Sequence, residues 1–247
     1  MVCHVAWAIT GAGHLLEETF DVIAELVKTQ KVMVTTFLSA AGKQVMQTYG
    51  LWNKLNEMSS GGYLQEIMTE STKDPGFSAA GRFILGMYDA LVVSPATANT
   101  VAKIVYGIAD NLVTNLVAQA QKAAVPVYVV PTDQKEGYVE TTLPYRIDKQ
   151  SCKQCNPCSV VEVCSYSAVK LSNGVPKISS VLCQGCGQCI DACPYGAVKF
   201  AEKKKLWIRT VDAQNVKKLG LMNNLTVFEN PKQMLPIIEK LQIRCSK

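Results

Sequence analysis

Cys152-Lys-Gln-Cys155-Asn-Pro-Cys158 and Cys183-Gln-Gly-Cys186-Gly-Gln-Cys189-Ile-Asp-Ala-Cys193-Pro194 set one stretch of the chain apart from everything around it. Each triplet is followed by a matching segment: Cys164-Ser-Tyr-Ser-Ala-Val-Lys170 is echoed by Cys193-Pro-Tyr-Gly-Ala-Val-Lys199. The stretch is therefore an internal duplication with a period of about thirty residues. Eight of the ten cysteines fall within it. Short regular spacings of this kind indicate metal ligands when a chain is intracellular. Thiolates three residues apart on a tight loop reach three corners of one cubane, and the fourth cysteine of such a run ligates the neighbouring cluster. The spacing thus predicts two [4Fe–4S] clusters with crossed ligation. Cys183, Cys186, Cys189 and Cys164 hold one, and Cys152, Cys155, Cys158 and Cys193 hold the other. The first repeat departs from the pattern, with five residues between Cys158 and Cys164 and Ser165 in place of proline. Structural zinc fits less well, because zinc sites of four thiolates use C-x2-C pairs separated by longer loops. Tyr166 and Tyr195 occupy matching places in the repeats and are expected to pack against the clusters. Cys3 and Cys245 remain as unligated thiols.

On either side the rhythm changes to alternating strands and helices. Val2 to Ile9 reads as a buried strand ending in the turn Thr10-Gly11-Ala12-Gly13. Leu16, Phe20, Ile23 and Val27 recur at helical spacing. Val32 to Leu38 reads as a strand and Ala41 to Tyr49 as a helix. Ala90 to Val93 is a strand ending at Ser94-Pro95. Helices follow over Asn99 to Tyr106 and Asn111 to Ala123, then a strand over Val125 to Val130. Beyond the cysteines, Trp207 to Val211 reads as a strand, Asp212 as the cap of a helix through Leu219, Leu225 to Phe228 as a strand, and Pro231 as the start of a last helix. This alternation predicts an α/β fold, a Rossmann-like doubly wound parallel sheet. A bacterial-type 2[4Fe–4S] ferredoxin module of α+β character is inserted into it. The expected organisation is residues 1–148 for the sheet domain, 149–205 for the module and 206–247 for the return of the sheet domain.

Composition narrows the partners. The formal net charge is +5, yet residues 1–148 carry 10 Lys+Arg against 14 Asp+Glu, and residues 149–247 carry 15 against 6. Each oxidised cluster with its thiolates bears about −2. The basic half therefore offsets buried anionic cofactors or receives an acidic redox partner. No aromatic residues interleave the basic ones, so nucleic acid is not an expected partner. No apolar run is long enough to span a bilayer and no signal peptide is read, so no membrane association and a cytoplasmic location are expected.

Two turns mark a second site. Gly11-Ala12-Gly13 closes a strand and opens a helix, where backbone N–H groups cradle phosphate. It is not a nicotinamide fingerprint. Leu16 stands where the third glycine belongs, and the second strand ends Thr35-Thr36-Phe37-Leu38-Ser39 with no acidic residue. A phosphate monoester is the better fit, and an ordinary βα turn is the plain alternative. In Ser94-Pro-Ala96-Thr97-Ala-Asn99-Thr100, hydroxyl and amide groups crowd the carboxyl end of a strand, where open α/β sheets bind ligands. Helix capping would need only one of them. His14 beside the phosphate turn and Arg82 ahead of the following strand are the candidate catalytic residues. His14 contacts cofactor or protonates substrate unless it is a plain surface residue. Arg82 holds an anionic substrate unless it simply makes an ion pair.

Ser94-Pro-Ala-Thr-Ala-Asn-Thr-Val-Ala-Lys103 with Gly107-Ile-Ala-Asp-Asn111 resembles the signature of the homo-oligomeric flavoproteins related to flavin-containing cysteine decarboxylases. The resemblance covers roughly 1–133 and 206–240. It implies FMN bound at a subunit interface of a homo-oligomer, with Gly11, Ala12, Gly13, His14 and Ser39 at the phosphate and Ser94, Ala96, Thr97, Asn99 and Thr100 in the cofactor site. With the two-cluster module added, the whole resembles the archaeal iron–sulfur flavoproteins. That implies an oxidoreductase fed by a ferredoxin-like donor, with electrons passing through the clusters to FMN and reducing a dihydropterin substrate to its tetrahydro form. A carrier without its own substrate and a cysteine decarboxylase-like enzyme are the alternatives. Clusters pass electrons singly, whereas a flavin delivers a hydride. Anaerobic purification followed by metal analysis should find about eight iron atoms per chain; zinc alone would refute the reading.

Overall fold

The computed structural model describes residues 2–28, 32–59, 61–71 and 77–245, and the Cys245 side chain lies outside the described set. The first half runs β1 (Cys3–Ile9), α1 (Leu16–Lys28), β2 (Val32–Leu38), α2 (Ala40–Thr48), α3 (Trp52–Met58), β3 (Ile67–Thr69), α4 (Phe77–Ile84), β4 (Ala90–Ala96), α5 (Ala98–Val105), α6 (Leu112–Lys122) and β5 (Val127–Pro131). Then come β6 (Gly137–Thr142), β7 (Arg146–Ile147), α7 (Ser159–Glu162), β8 (Val169–Ser172), β9 (Val175–Ile178), α8 (Gln188–Ala192), β10 (Val198–Lys199) and β11 (Lys203–Ile208). The chain ends with α9 (Thr210–Leu219), β12 (Leu225–Val227), a 3-10 turn at Pro231–Met234 and α10 (Leu235–Cys245).

Six strands form one sheet in the order β12-β5-β4-β1-β2-β3, every pair parallel. Side chains alternate across it, as the period of two requires. Ala6, Ala8, Leu91 and Val93 face a core shared with α4, α5, α6 and α9. Val5, Trp7, Ile9 and Val92 face the other core, with α1, α2 and α10. Being covered on both faces explains why these strands are almost continuously apolar. Among the described residues no helix is long and apolar enough to cross a membrane.

The chain leaves the sheet after β5 and rejoins it at β12, which pairs with β5 from Leu225↔Val127 to Val227↔Val129. Between these points the exit and the return run side by side. β6 and β11 form an antiparallel ribbon from Ile208↔Gly137 to Lys203↔Thr142, with Lys203 Nζ 2.7 Å from Glu140. The Cys-rich stretch hangs from the open end of this ribbon. Its own small sheets are β7–β10 and β8–β9, and its core is Val160, Val169 and Val198 packed on Cys158, Cys164, Cys189 and Cys193.

Three local expectations differ from the fold. Residues 203–208 form the strand, antiparallel to β6, and Val211 already lies in α9. The run Lys203–Lys205 lies in this strand, where a two-stranded ribbon leaves both faces open to lysine side chains. Asp212 sits inside α9 rather than capping it; its carboxylate receives Arg209 Nε at 2.7 Å and Nη2 at 2.8 Å, and Arg209 holds the cap position. β7, read with the sheet domain, pairs instead with β10. Because the ribbon brings the two ends together, replacing 150–202 by a short Gly/Ser bridge should leave a flavin-binding sheet domain that melts cooperatively by circular dichroism. An unfolded or flavin-free product would contradict this.

Candidate functional site

The carboxyl edge of the sheet gathers the two turns read from sequence. Thr10 is the hub. Its N–H and hydroxyl both donate to Pro95 O, at 3.2 and 2.7 Å, and its hydroxyl oxygen accepts from Thr97 N–H at 2.9 Å. Ser39 N–H donates to Ile9 O at 3.2 Å, and Ser39 Oγ caps α2 by accepting from Gly42 N–H at 3.0 Å. The backbones approach closely. A Cβ on Gly11 would come within 2.5 Å of Ala41 Cβ, and one on Gly42 within 2.4 Å of Ile9 O. Only glycine fits at these two positions, so α2 packs with its first turn pressed against the end of β1 and the turn that follows it.

The residues of the Ser94–Thr100 segment divide by role. Ser94 is fully buried, with its hydroxyl 2.7 Å from Thr19 Oγ1 and its carbonyl receiving the Trp7 indole N–H at 3.2 Å. Ser94 and the buried Ala96 therefore set the position of the loop. Thr97 caps α5 and bonds the Thr100 hydroxyl at 3.1 Å, while Asn99 is exposed. Glu70 carried no signal in the sequence. At the end of β3 it accepts from Ala40 N–H and Leu112 N–H, both at 3.0 Å, and so ties the starts of α2 and α6 together at this edge. Its carboxylate also suits those helix N-termini electrostatically.

Of the two candidate catalytic residues, His14 lies in a groove with Gly13, Glu17, Glu140 and Lys203. Burial pushes its imidazole below the usual value, opposed by Glu18 and Asp133. Arg82 is committed elsewhere. It donates to both Glu66 oxygens and to the Tyr88 hydroxyl, all at 3.2 Å, and lies over the Tyr63 ring. Burial lowers its pKa, but these bonds outweigh that and the net shift is upward.

In the Cys-rich stretch the eight thiols sort into two small cavities of about 20 Å³ each. The first is lined by Cys164, Cys183, Cys186 and Cys189, with Tyr166 and Tyr145 in its wall. The second is lined by Cys152, Cys155, Cys158 and Cys193, with Tyr195 in its wall. Among the described residues no three His, Cys, Asp or Glu side chains are placed to hold a single metal ion. Each set encloses a space instead, and four thiols around a cavity suit a cubane cluster. The repeats match in detail. Ala168 N–H donates to Cys164 Sγ at 3.3 Å and Ala197 N–H to Cys193 Sγ at 3.4 Å. Ser167 takes the left-handed backbone, φ 51°, that Gly196 takes at 59°. Burial and then the charge of Cys183 push the Cys189 thiol up to about 11.

Cys164→Ala should remove the cluster bounded by Cys183, Cys186 and Cys189 and leave the other, lowering iron from about eight to about four atoms per chain. Spectra showing loss of the Cys152–Cys158 cluster instead would refute the crossed set.

Comparison with known proteins gives the same two parts. Residues 176–199 match the 4Fe-4S binding domain. Dihydromethanopterin reductase (acceptor) of Methanosarcina mazei is 45% identical over 235 residues, 94% of this chain and 98% of that protein. The protein of the same name from Methanocaldococcus jannaschii is 43% identical over 233 residues, 94% of each. A crystal structure of Burkholderia xenovorans DmrB in complex with FMN, described as a cubic protein cage for redox transfer, shares the fold. Its TM-score is 0.63 at 23% identity, covering 99% of this chain and 98% of that one. Residues 2–184 match the Flavoprotein family, and the chain belongs to it.

Proposed function

We propose that this chain is an iron–sulfur flavoprotein oxidoreductase that takes electrons from a low-potential, ferredoxin-like donor and reduces dihydromethanopterin to its tetrahydro form. The carrying observation is the pair of four-thiol cavities joined to a flavoprotein sheet, in a chain 45% identical along nearly its whole length to a dihydromethanopterin reductase (acceptor). Cys164, Cys183, Cys186 and Cys189 would hold one [4Fe–4S] cluster, and Cys152, Cys155, Cys158 and Cys193 the other. FMN would lie along the edge formed by Gly11, Ala12, Gly13, His14, Ser39, Thr97, Asn99 and Thr100, with Ser94 and Ala96 positioning the loop. When bound, the flavin supplies hydride chemistry to a C=N bond.

The residues of this chain supply position and charge. Thr10, bonded to both Pro95 and Thr97, locks the two turns into one surface. Glu70 and Ser39 satisfy the first amides of α2, which fixes that helix against the Gly11 turn. His14 is the candidate proton donor, because its groove adjoins the Gly13 turn, whereas Arg82 is held by Glu66 and Tyr88. The organisation proposed is a sheet domain over 1–148 and 206–247 with the ferredoxin module of 149–205 set into it. The active form proposed is a homo-oligomer with FMN at a subunit interface, working in the cytoplasm.

Anaerobically reconstituted protein should convert dihydromethanopterin to the tetrahydro compound when supplied with reduced ferredoxin, followed by the pterin absorbance change. Reduction and reoxidation of the protein with no pterin turnover would identify a carrier instead. Decarboxylation of a C-terminal peptidyl cysteine without added electrons would favour the decarboxylase-like alternative.

A further inference from the structure

The two cavities are not equivalent with respect to the sheet. The one lined by Cys164, Cys183, Cys186 and Cys189 sits against it. Gly185, between two of those cysteines, meets Gly50 at the end of α2 so closely that a Cβ on Gly185 would lie 2.3 Å from Gly50 N. Gln44 Nε2, one turn earlier, donates to Ser180 Oγ at 3.1 Å. Tyr145 lines the same cavity and donates its hydroxyl to Gly185 O at 3.4 Å. From Tyr145 the rings continue inward. Tyr145 stacks on Phe200 at 4.2 Å, and Phe200 meets Tyr49 edge-on at 6.0 Å. Tyr49 is buried, donates to Thr142 O at 2.6 Å, and stands against the phosphate turn: a Cβ on Gly13 would fall 2.2 Å from its hydroxyl oxygen.

The other cavity has no such connection. Its lining residues all fall within 147–198, and among the described residues the hydrogen bonds of its wall run between residues 146 and 199, as with Ser159 Oγ to Ala192 O at 2.6 Å. Exposed Lys153 lines it, and exposed Arg146, Lys149 and Lys177 line the neighbouring groove.

The geometry points to a fixed order of electron flow, from an acidic donor to the Cys152/Cys155/Cys158/Cys193 cluster, then to the Cys164/Cys183/Cys186/Cys189 cluster, then through the Tyr145–Phe200–Tyr49 contacts to the flavin site. This rests on the cofactor reading above. Tunnelling weakens steeply with distance and favours packed atoms over gaps, so the cavity joined to the sheet by packed rings and a backbone contact is the inner relay. For each pterin reduced, a one-electron donor protein is oxidised twice. Each cluster gains and loses one electron on each pass, and the two electrons, with two protons from solvent, end in the new C–H and N–H bonds of the product. Tyr145, Phe200 and Tyr49 are positioning residues, since they carry the contact without touching substrate.

Two measurements test this on the holoprotein. In Cys155→Ala and Cys186→Ala proteins, each retaining one cluster, that cluster's midpoint potential is titrated optically with FMN bound and after its removal. Removing FMN should shift the potential in Cys155→Ala and leave it unchanged in Cys186→Ala; the reverse pattern would overturn the order. Flash photoreduction with a soluble deazaflavin then follows internal electron transfer. Tyr145→Leu and Phe200→Leu should lose the fast phase of flavin reduction at unchanged iron and FMN content, and Tyr145→Phe should keep it. A fast phase that survives both leucine variants would remove the ring contacts from the route. Absence of iron or FMN from the wild-type protein would count against the cofactor reading itself, and is scored separately by chemical analysis.

Discussion

Gly50 and Gly185 touch backbone to backbone, and neither position has room for a side chain: a Cβ on Gly50 would lie 2.7 Å from Gly185 O. Both take positive φ, 72° and 61°, which L side chains adopt only at a cost of roughly 1–2 kcal/mol. This contact fixes where the Cys-rich stretch sits. It presses the Cys183–Cys189 loop onto the end of α2, the helix whose other end packs against the Gly11 turn. One short helix therefore spans the distance between the redox module and the proposed flavin site. The β6–β11 ribbon holds the module from its other side, so the module has two points of attachment instead of a single flexible linker. Such tethering keeps a redox partner at high effective concentration.

The sheet was legible because its strands are buried on both faces and its helices carry one apolar stripe. Val5, Trp7 and Ile9 could only be a buried strand, and Leu16, Phe20 and Ile23 only the inner face of a helix. The grouping of the cysteines was legible for a different reason, since cubane geometry restricts cysteine spacing far more than a core restricts its residues. What stayed hidden depended on long-range partners. Glu70 looks like any surface acid until β3 carries it to two helix starts. The strand at Lys203–Ile208 is too polar to signal itself, being stabilised by its pairing with β6. Asp212 resembles a helix cap, and its role as the partner of Arg209 follows from side-chain reach rather than pattern.

The candidate site residues divide along the same line. That Gly11, Gly13, Ser39 and Thr97 sit at turns and caps could be read from local chemistry. The inward turn of the Ser94 hydroxyl could not, because its partner Thr19 lies far off in sequence. The aromatic contacts behind the Gly13 turn come from three separate segments, which only the assembled fold brings together. Phe200 belongs by sequence to the Cys-rich repeat, yet it packs against the core of the sheet.

Crossed ligation would place one particular cluster, that of Cys164, Cys183, Cys186 and Cys189, next to the flavoprotein sheet. Anomalous diffraction at the iron edge, from crystals of anaerobically purified protein, locates both clusters directly. The iron centre nearer Gly50 should be bonded to those four thiolates, and the farther one to Cys152, Cys155, Cys158 and Cys193. Iron nearest Gly50 bonded to Cys193, or to any of Cys152, Cys155 and Cys158, would contradict it.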